Sequence, residues 1–146
     1  MDVRISVSCR QTNEAGAVET VSYRAAGRFM RRGNLSFLSY EEPEASGLLG
    51  TRTTVVIGDG FVRILRAGAV SWRQEFIVGR VTESVSETAM GPLSIRMETR
   101  ETDWDLTDGA GCLRMVYTAE VVGLFCHRNE LCIEVREDRS IHGCKG

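Results

Sequence analysis

The chain has 146 residues, of which 42% are hydrophobic and 26% charged, and its formal net charge at neutral pH is −2. Because a typical domain has about 100 to 200 residues, this length predicts one domain over residues 1–146 that buries a core without disulfide or metal cross-links. The charge balance argues against a nucleic-acid partner, since proteins that bind nucleic acids need an excess of Lys and Arg.

The N-terminal segment MDVRISVSCRQ carries charges at positions 2 and 4 and then alternates, so it lacks the apolar stretch of a signal peptide. No apolar run approaches the roughly 20 residues that a transmembrane helix needs. These features predict a cytoplasmic protein with no membrane partner. In that compartment the five cysteines are expected to stay reduced, and an odd number also fits a disulfide framework poorly.

Short runs of alternating apolar and polar residues dominate the chain, and this period of two is typical of half-buried β-strands. In chain order, the runs predict strands at 2–10, 17–26, 28–32, 35–42, 51–58, 61–67, 70–78, 81–88, 92–102, 112–122 and 125–137. The count is ten or eleven, depending on whether Gly27 interrupts a strand. Residues 101–108 fit either a strand or a loop.

Glycine-containing turns separate the predicted strands. Asp59-Gly60 is a tight-hairpin signal, and RRGN at 31–34 and TDGAGC at 107–112 predict further turns. Because such short links join strands that follow one another in sequence, they favour an up-and-down antiparallel barrel over a Greek-key sandwich. The longer segment EPEASGLLG, residues 42–50, is expected to cap one end of the barrel.

The order of several motifs resembles that of the YwiB-like bacterial family of unknown function, over about residues 3 to 136. The motifs are LSYEE (38–42), TTVVI (53–57), GFVRILRAGAV (60–70), QEFIVG (74–79), GPLSI (91–95) and GCLRMVYTAEV (111–121). The family tends to carry a Pro-Tyr-Gly-like step before GPLSI, where this chain has Ala89, Met90 and Gly91. The resemblance implies a calycin-like barrel, the shape shared with lipocalins, but no reaction and no functional residues.

The predicted fold is therefore all-β: a single antiparallel up-and-down calycin-like (lipocalin-like) β-barrel of about ten strands. Residues from about 138 to 146 are expected to form a loosely ordered tail.

Cysteine and histidine residues gather near the C-terminus, at Cys126, His127, Cys132, His142 and Cys144. Zinc sites usually contain cysteine pairs separated by two to four residues, and the spacings of this group fit no such pattern. Adjacent residues on a strand point to opposite faces, so Cys126 and His127 are not expected to form a catalytic dyad. The sequence predicts scattered free thiols with no bound metal and no cofactor.

Polar residues that continue the apolar phase of a strand are the candidates for a site inside the barrel. They are Tyr40, Glu42, Arg66, Thr99 and Tyr117. Because a buried charge needs a partner, Glu42 and Arg66 are predicted to form an interior ion pair near tyrosine hydroxyls. The alternatives are a closed polar network that fixes strand register, or a solvated rim.

The favoured function is a non-catalytic binding module that holds a small, partly apolar ligand in the barrel lumen. The alternative is a structural or regulatory protein-interaction domain with a filled barrel, in which Phe61, Leu65 and Trp72 supply an outer apolar patch. An enzyme is the least favoured class, because no nucleophile, acid and base converge in the sequence and no catalytic residue is predicted. The oligomeric state stays open, with a homodimer among the alternatives.

Overall fold

The structure, a computed structural model, describes residues 1–69, 71–107 and 109–138. These residues form ten β-strands, and one short 3-10 helix at Glu44–Ser46 lies between the third and fourth. The strands are β1 (Asp2–Thr12), β2 (Val18–Arg32), β3 (Leu35–Glu41), β4 (Thr51–Gly58), β5 (Phe61–Gly68), β6 (Trp72–Phe76), β7 (Val81–Thr88), β8 (Gly91–Thr107), β9 (Ala110–Val121) and β10 (Phe125–Glu137).

All ten strands belong to one antiparallel sheet in the order β6-β5-β4-β3-β2-β1-β10-β9-β8-β7. Strands that follow one another in sequence are neighbours, and the first strand also pairs with the last. Val7, for example, lies opposite Tyr23 on β2 and Ile133 on β10. The predicted all-β, up-and-down antiparallel barrel is thereby confirmed, while the narrower calycin-like class stays a prediction.

The two ends of the sheet, β6 and β7, meet through a few bonds and without a continuous ladder. Backbone groups of Ser71 and Glu87 form an isolated antiparallel bridge. Below it, the Thr82 hydroxyl donates a hydrogen bond to the Glu75 carbonyl at 3.0 Å, and the Trp72 indole N–H donates to Ser84 Oγ at 3.2 Å. Side chains thus replace backbone hydrogen bonds along this seam, and the barrel is nearly closed.

Gly27 does not divide a strand in two: β2 runs through it, and the strand count is ten. Gly27 pairs with Val3 on β1 and with Tyr40 on β3. A Cβ atom at this position would lie 2.5 Å from Ile5 Cδ1 and 2.6 Å from the Ser39 carbonyl oxygen. The glycine is therefore needed for close packing between neighbouring strands, and it is not a turn residue.

Residues 101–107 extend β8 as a strand, which resolves the ambiguity between strand and loop. A bulge between Thr99 and Glu101 shifts the pairing with β9 by one residue, so that Thr99 lies opposite Tyr117 whereas Thr102 lies opposite Met115. Because side chains alternate between faces, the inward positions of β8 are odd-numbered before the bulge and even-numbered after it. Leu106 is buried for this reason.

The hydrophobic core fills the end of the barrel that contains the start of β1 and the end of β10. Val3, Phe29, Ile57, Leu113 and Val135 are all buried there. Close packing at this end leaves the other end of the barrel as the place for an interior space.

The described part of the predicted tail, Asp138, is buried and held by its neighbours. Its backbone N–H donates to the Asp2 carbonyl at 3.0 Å, and its carboxylate lies 3.6 Å from Arg4 Nε. The remaining positions of that prediction, 139–146, lie outside the described residues. In the part of the chain that is described, no helix is long and apolar enough to cross a membrane.

Replacing Gly27 with valine is expected to lower the free energy of unfolding by about 1 to 3 kcal/mol, because the new side chain overlaps Ile5 and the Ser39 carbonyl. Ala26→Val is the control, since Ala26 is exposed on the opposite face of the same strand, and it should change stability by less than about 0.5 kcal/mol. Urea denaturation followed by circular dichroism measures both. Equal stability of the two variants would contradict the close packing at Gly27.

Candidate functional site

A cavity of about 390 Å³ occupies the less densely packed half of the barrel. Its walls come from β1, β2, β5, β6, β8, β9 and β10, and Ser46 and Leu48 of the segment 42–50 also line it. The segment predicted to cap the barrel therefore lies against this interior space. Most of the wall is aliphatic or aromatic. The polar side chains in it are Gln11, Glu19, Ser46, Arg66, Gln74, His127 and Asn129.

Arg66 is the cation inside this cavity, and its side chain is only 16% exposed. Its Nη1 donates a hydrogen bond to Gln74 Oε1 at 3.0 Å, and the guanidinium lies over the Trp72 ring, 5.5 Å from the ring centroid. Its Nε has no hydrogen-bond partner among the described residues. Since a guanidinium carries five N–H donors, the protein uses only a small part of this group's capacity.

Glu42 follows β3, and its side chain is completely buried. The Thr53 hydroxyl donates a hydrogen bond to Glu42 Oε2 at 2.5 Å. Arg66 Nε lies 4.0 Å from the same oxygen, a distance that allows an ion pair but is too long for a hydrogen bond. Oε1 has no partner in the described residues. The two predicted charges thus meet inside the barrel, but only as a loose pair.

All three tyrosines of the chain are packed into the barrel interior. The hydroxyls of Tyr23 and Tyr40 lie 3.3 Å apart, and the ring of Tyr117 packs edge-on against Phe76. Burial raises the pKa of Tyr40 to about 12 and is also the main cause that raises the pKa of Tyr23 and of Tyr117. The Glu42 charge adds to the rise in pKa at Tyr23 and Tyr40, whereas Arg66 opposes it at Tyr40 and Tyr117.

The five predicted site residues occupy two different depths. Arg66 and Tyr117 line the cavity, whereas Tyr40 and Glu42 lie behind Arg66 in contact with Tyr23 and Thr53. Thr99 is buried opposite Tyr117 and is not part of the cavity wall. The structure therefore brings Tyr40, Glu42 and Arg66 into one polar cluster and leaves Thr99 apart from it.

The predicted outer patch of Phe61, Leu65 and Trp72 is wrong for Trp72. Trp72 lies directly opposite Arg66 and faces the cavity, while Leu65 points to the other side of the wall. Residues two apart on a strand share a face, so Trp72 and Gln74 lie on the same face as Phe76. Phe76 is fully buried, and this face is therefore the inward one. The same reasoning, applied backwards from Leu131, would have placed Asn129 and His127 in the cavity wall.

The four described cysteines are free thiols. Cys126 and His127 face opposite sides of β10, as expected: His127 lines the cavity and stacks on Phe125, and the Cys126 N–H bonds to the Glu14 carboxylate. Within residues 1–69, 71–107 and 109–138, no group of three or more His, Cys, Asp or Glu side chains is arranged to hold a metal ion. His142 and Cys144 lie outside the described residues, so the absence of a metal stays a prediction.

Replacing Arg66 with methionine is expected to lower the free energy of unfolding by about 3 kcal/mol or more, because it leaves the buried Glu42 carboxylate without its opposite charge. The double variant Arg66→Met with Glu42→Leu should recover much of that loss. Arg52→Met is a matched control, since Arg52 pairs with the adjacent Glu41 at 2.8 Å on the surface, where both side chains are more than half exposed. The control should cost about 1 kcal/mol or less. Additive small effects of the Arg66 and Glu42 changes would show that the two charges are uncoupled.

The three tyrosines make the protein sensitive to alkali. Their pKa values in the folded protein lie above the value of about 10 in an unfolded chain. Above that pH the folded protein therefore binds more protons than the unfolded chain does. The contribution of these tyrosines to the free energy of unfolding is therefore fully present below a pH of about 10. It falls as the pH rises above that value, and for Tyr40 the fall ends once the folded-state pKa of about 12 is passed. Each tyrosine contributes a slope of about 1.4 kcal/mol per pH unit.

Ultraviolet absorbance measures this behaviour directly, since tyrosinate absorbs where tyrosine does not. We expect little tyrosinate until the far-ultraviolet circular dichroism shows unfolding, and then a single cooperative rise. Smooth ionisation centred near pH of about 10 in a folded protein would contradict the burial of these hydroxyls.

Comparisons with known proteins agree with this architecture. The family model described as "Domain of unknown function (DUF1934)" matches residues 5–133. The uncharacterized beta-barrel protein YwiB of Bacillus subtilis (strain 168) is 28% identical over 106 residues, which is 73% of this chain and 73% of that protein. The crystal structure of the Bacillus subtilis ywiB protein superposes with a TM-score of 0.83 at 24% identity, over 93% of this chain and 91% of that one, and shows the same fold. The predicted family resemblance is confirmed: the chain belongs to the DUF1934 family of β-barrel proteins, whose function is unknown.

Proposed function

We propose that the protein is a non-catalytic binding module that holds a small, partly apolar ligand in the barrel lumen. The observation that carries this proposal is the cavity of about 390 Å³, which lies inside the barrel and is lined by seven of the ten described strands. Known pockets for small ligands have volumes of about 300 to 1,000 Å³ and are mostly apolar with a few well-placed polar groups.

The composition of the wall supports the partly apolar nature of the ligand. Ile64, Ile95, Val121 and Leu131 present aliphatic surface to the cavity, and Arg66 presents a charged group. Apolar surface of this kind releases water when a ligand covers it, and the charged group orients the ligand. A barrel packed to the same density throughout would offer neither contribution.

A protein-interaction role is the second candidate, favoured by exposed apolar side chains on turns at the cavity end of the barrel. Leu49, Met90, Val122 and Leu124 lie on three such turns, and all are more than half exposed. Exposed apolar patches often mark contact surfaces. This candidate does not require an interior space, so blocking the lumen separates the two functions.

Anilinonaphthalene sulfonate, a fluorescent probe with an apolar ring system and one negative charge, tests the lumen proposal. We expect it to bind the folded protein, and Ala119→Phe to weaken binding about tenfold or more, because Ala119 faces the cavity and the phenyl ring would fill it. Ala67→Phe is the matched control, since Ala67 is exposed next to Arg66 on the outer face of β5. Circular dichroism verifies that both variants fold.

Equal binding by the two phenylalanine variants would place the probe on the outer surface and contradict lumen binding. If both phenylalanine variants bind the probe equally and Leu124→Ser loses binding, the result would favour the exposed turns as a protein-interaction surface.

A further inference from the structure

We propose that the lumen ligand is an amphiphile with one carboxylate-type head group, which accepts hydrogen bonds from Arg66 and Tyr117. Its apolar part extends toward the open end of the barrel, which is the end opposite the close-packed core. This inference rests on the proposed function and goes beyond it by naming the class of ligand and the two residues that select it.

The first observation is the unused hydrogen-bonding capacity of Arg66. In the described contacts its guanidinium makes one hydrogen bond, from Nη1 to Gln74. Nε is buried and lies 4.0 Å from Glu42, so the donors left for a ligand are the remaining N–H groups on the two Nη atoms. Glu42 does not take up the remaining donors, because the nearest nitrogen–oxygen distance is 4.0 Å and the Glu42 oxygen involved already accepts from Thr53. A planar guanidinium with free N–H groups matches the two oxygens of a carboxylate.

The second observation is a hydroxyl on the same cavity wall. Tyr117 lines the cavity together with Arg66, and none of its described contacts is a hydrogen bond to its hydroxyl group. The positive charge of Arg66 is near enough to counteract part of the rise in the Tyr117 pKa. The tyrosine stays protonated at neutral pH and is therefore a donor. Because a guanidinium donates and cannot accept, a ligand oxygen can accept from both Arg66 and Tyr117, whereas a ligand N–H cannot bond to Arg66.

The charge that the cavity presents favours an anion. Glu42 is completely buried behind Arg66 and does not line the cavity, so a ligand meets the guanidinium and does not meet the carboxylate. The acidic residue that does line the cavity, Glu19, is exposed. An ammonium group at the depth of Arg66 would lie against a like charge, which is unfavourable in a poorly solvated site.

The apolar part of the ligand is set by what surrounds the two donors. Ile64, Ile95 and Leu131 line the cavity around them, and Val21 and Phe125 line it near the turns at the open end. Since the volume of about 390 Å³ is at the small end for ligand pockets, a short or medium acyl chain fits better than a long one.

Isothermal titration calorimetry with octanoate and octanol tests the head group, since the two probes differ mainly in the carboxylate. Octanoate is expected to bind the wild-type protein about tenfold more tightly than octanol, the factor typical of a hydrogen bond to a charged group. Arg66→Met with Glu42→Leu should remove this preference without weakening octanol binding. Arg24→Met is the control: Arg24 is exposed on the outer wall and makes no described ion pair, so the preference should persist.

Tyr117→Phe provides a second test that does not disturb the buried charges, because it deletes a hydroxyl with no described protein partner. It should weaken octanoate binding about threefold to tenfold and leave octanol binding unchanged. Circular dichroism and thermal melting of each variant establish that it is folded.

Three results would overturn the inference. Equal affinities for octanoate and octanol, with anilinonaphthalene sulfonate still blocked by Ala119→Phe, would leave lumen binding standing but remove the anionic head group. A preference for octanoate that survives both cavity variants and is lost in Arg24→Met would place the anion on the outer wall. Failure of all three probes to bind would overturn lumen binding itself and this inference with it.

Discussion

The pairing of β1 with β10 is the constraint on which the rest of the structure depends. It joins the first strand to the last over ten residue pairs and makes one nearly closed wall from strands that otherwise pair only with their sequence neighbours. Because the pairing register fixes which side of each strand faces inward, the same contact decides that Val3, Ile5 and Val7 enter the core. The gap that remains in the wall lies between β6 and β7, where side-chain hydrogen bonds connect the two strands.

The interior is divided along the barrel axis. At one end buried apolar side chains such as Val3, Ile57 and Leu113 pack together in the hydrophobic core. Toward the other end the wall includes small residues such as Cys9 and Ala119 among larger side chains, and a cavity remains.

The polar cluster of Glu42, Arg66 and Tyr40 lies at the boundary between these two halves. A fully buried carboxylate is unfavourable unless it is hydrogen-bonded or paired. Thr53 and Arg66 meet that requirement at Glu42 Oε2, whereas Oε1 has no partner among the described residues. The same arrangement holds the guanidinium at the cavity wall without using up its donors. The same arginine therefore places a positive charge beside the buried Glu42 carboxylate and presents its guanidinium to the cavity.

The strands, their inward faces and the barrel class follow from the sequence, because the period of two and the glycine turns are local properties of the chain. The inward direction of Glu42, Arg66 and Tyr117 was predictable for the same reason. By contrast, the continuity of β2 through Gly27 depends on how closely β1 and β3 approach, and the inward phase after Thr99 depends on a bulge that the alternation does not reveal. Only the tertiary structure decided that Arg66 and Tyr117 reach the cavity while Tyr40 and Glu42 lie behind it. Distances across a barrel depend on the register of all its strands together, and local alternation does not specify that register.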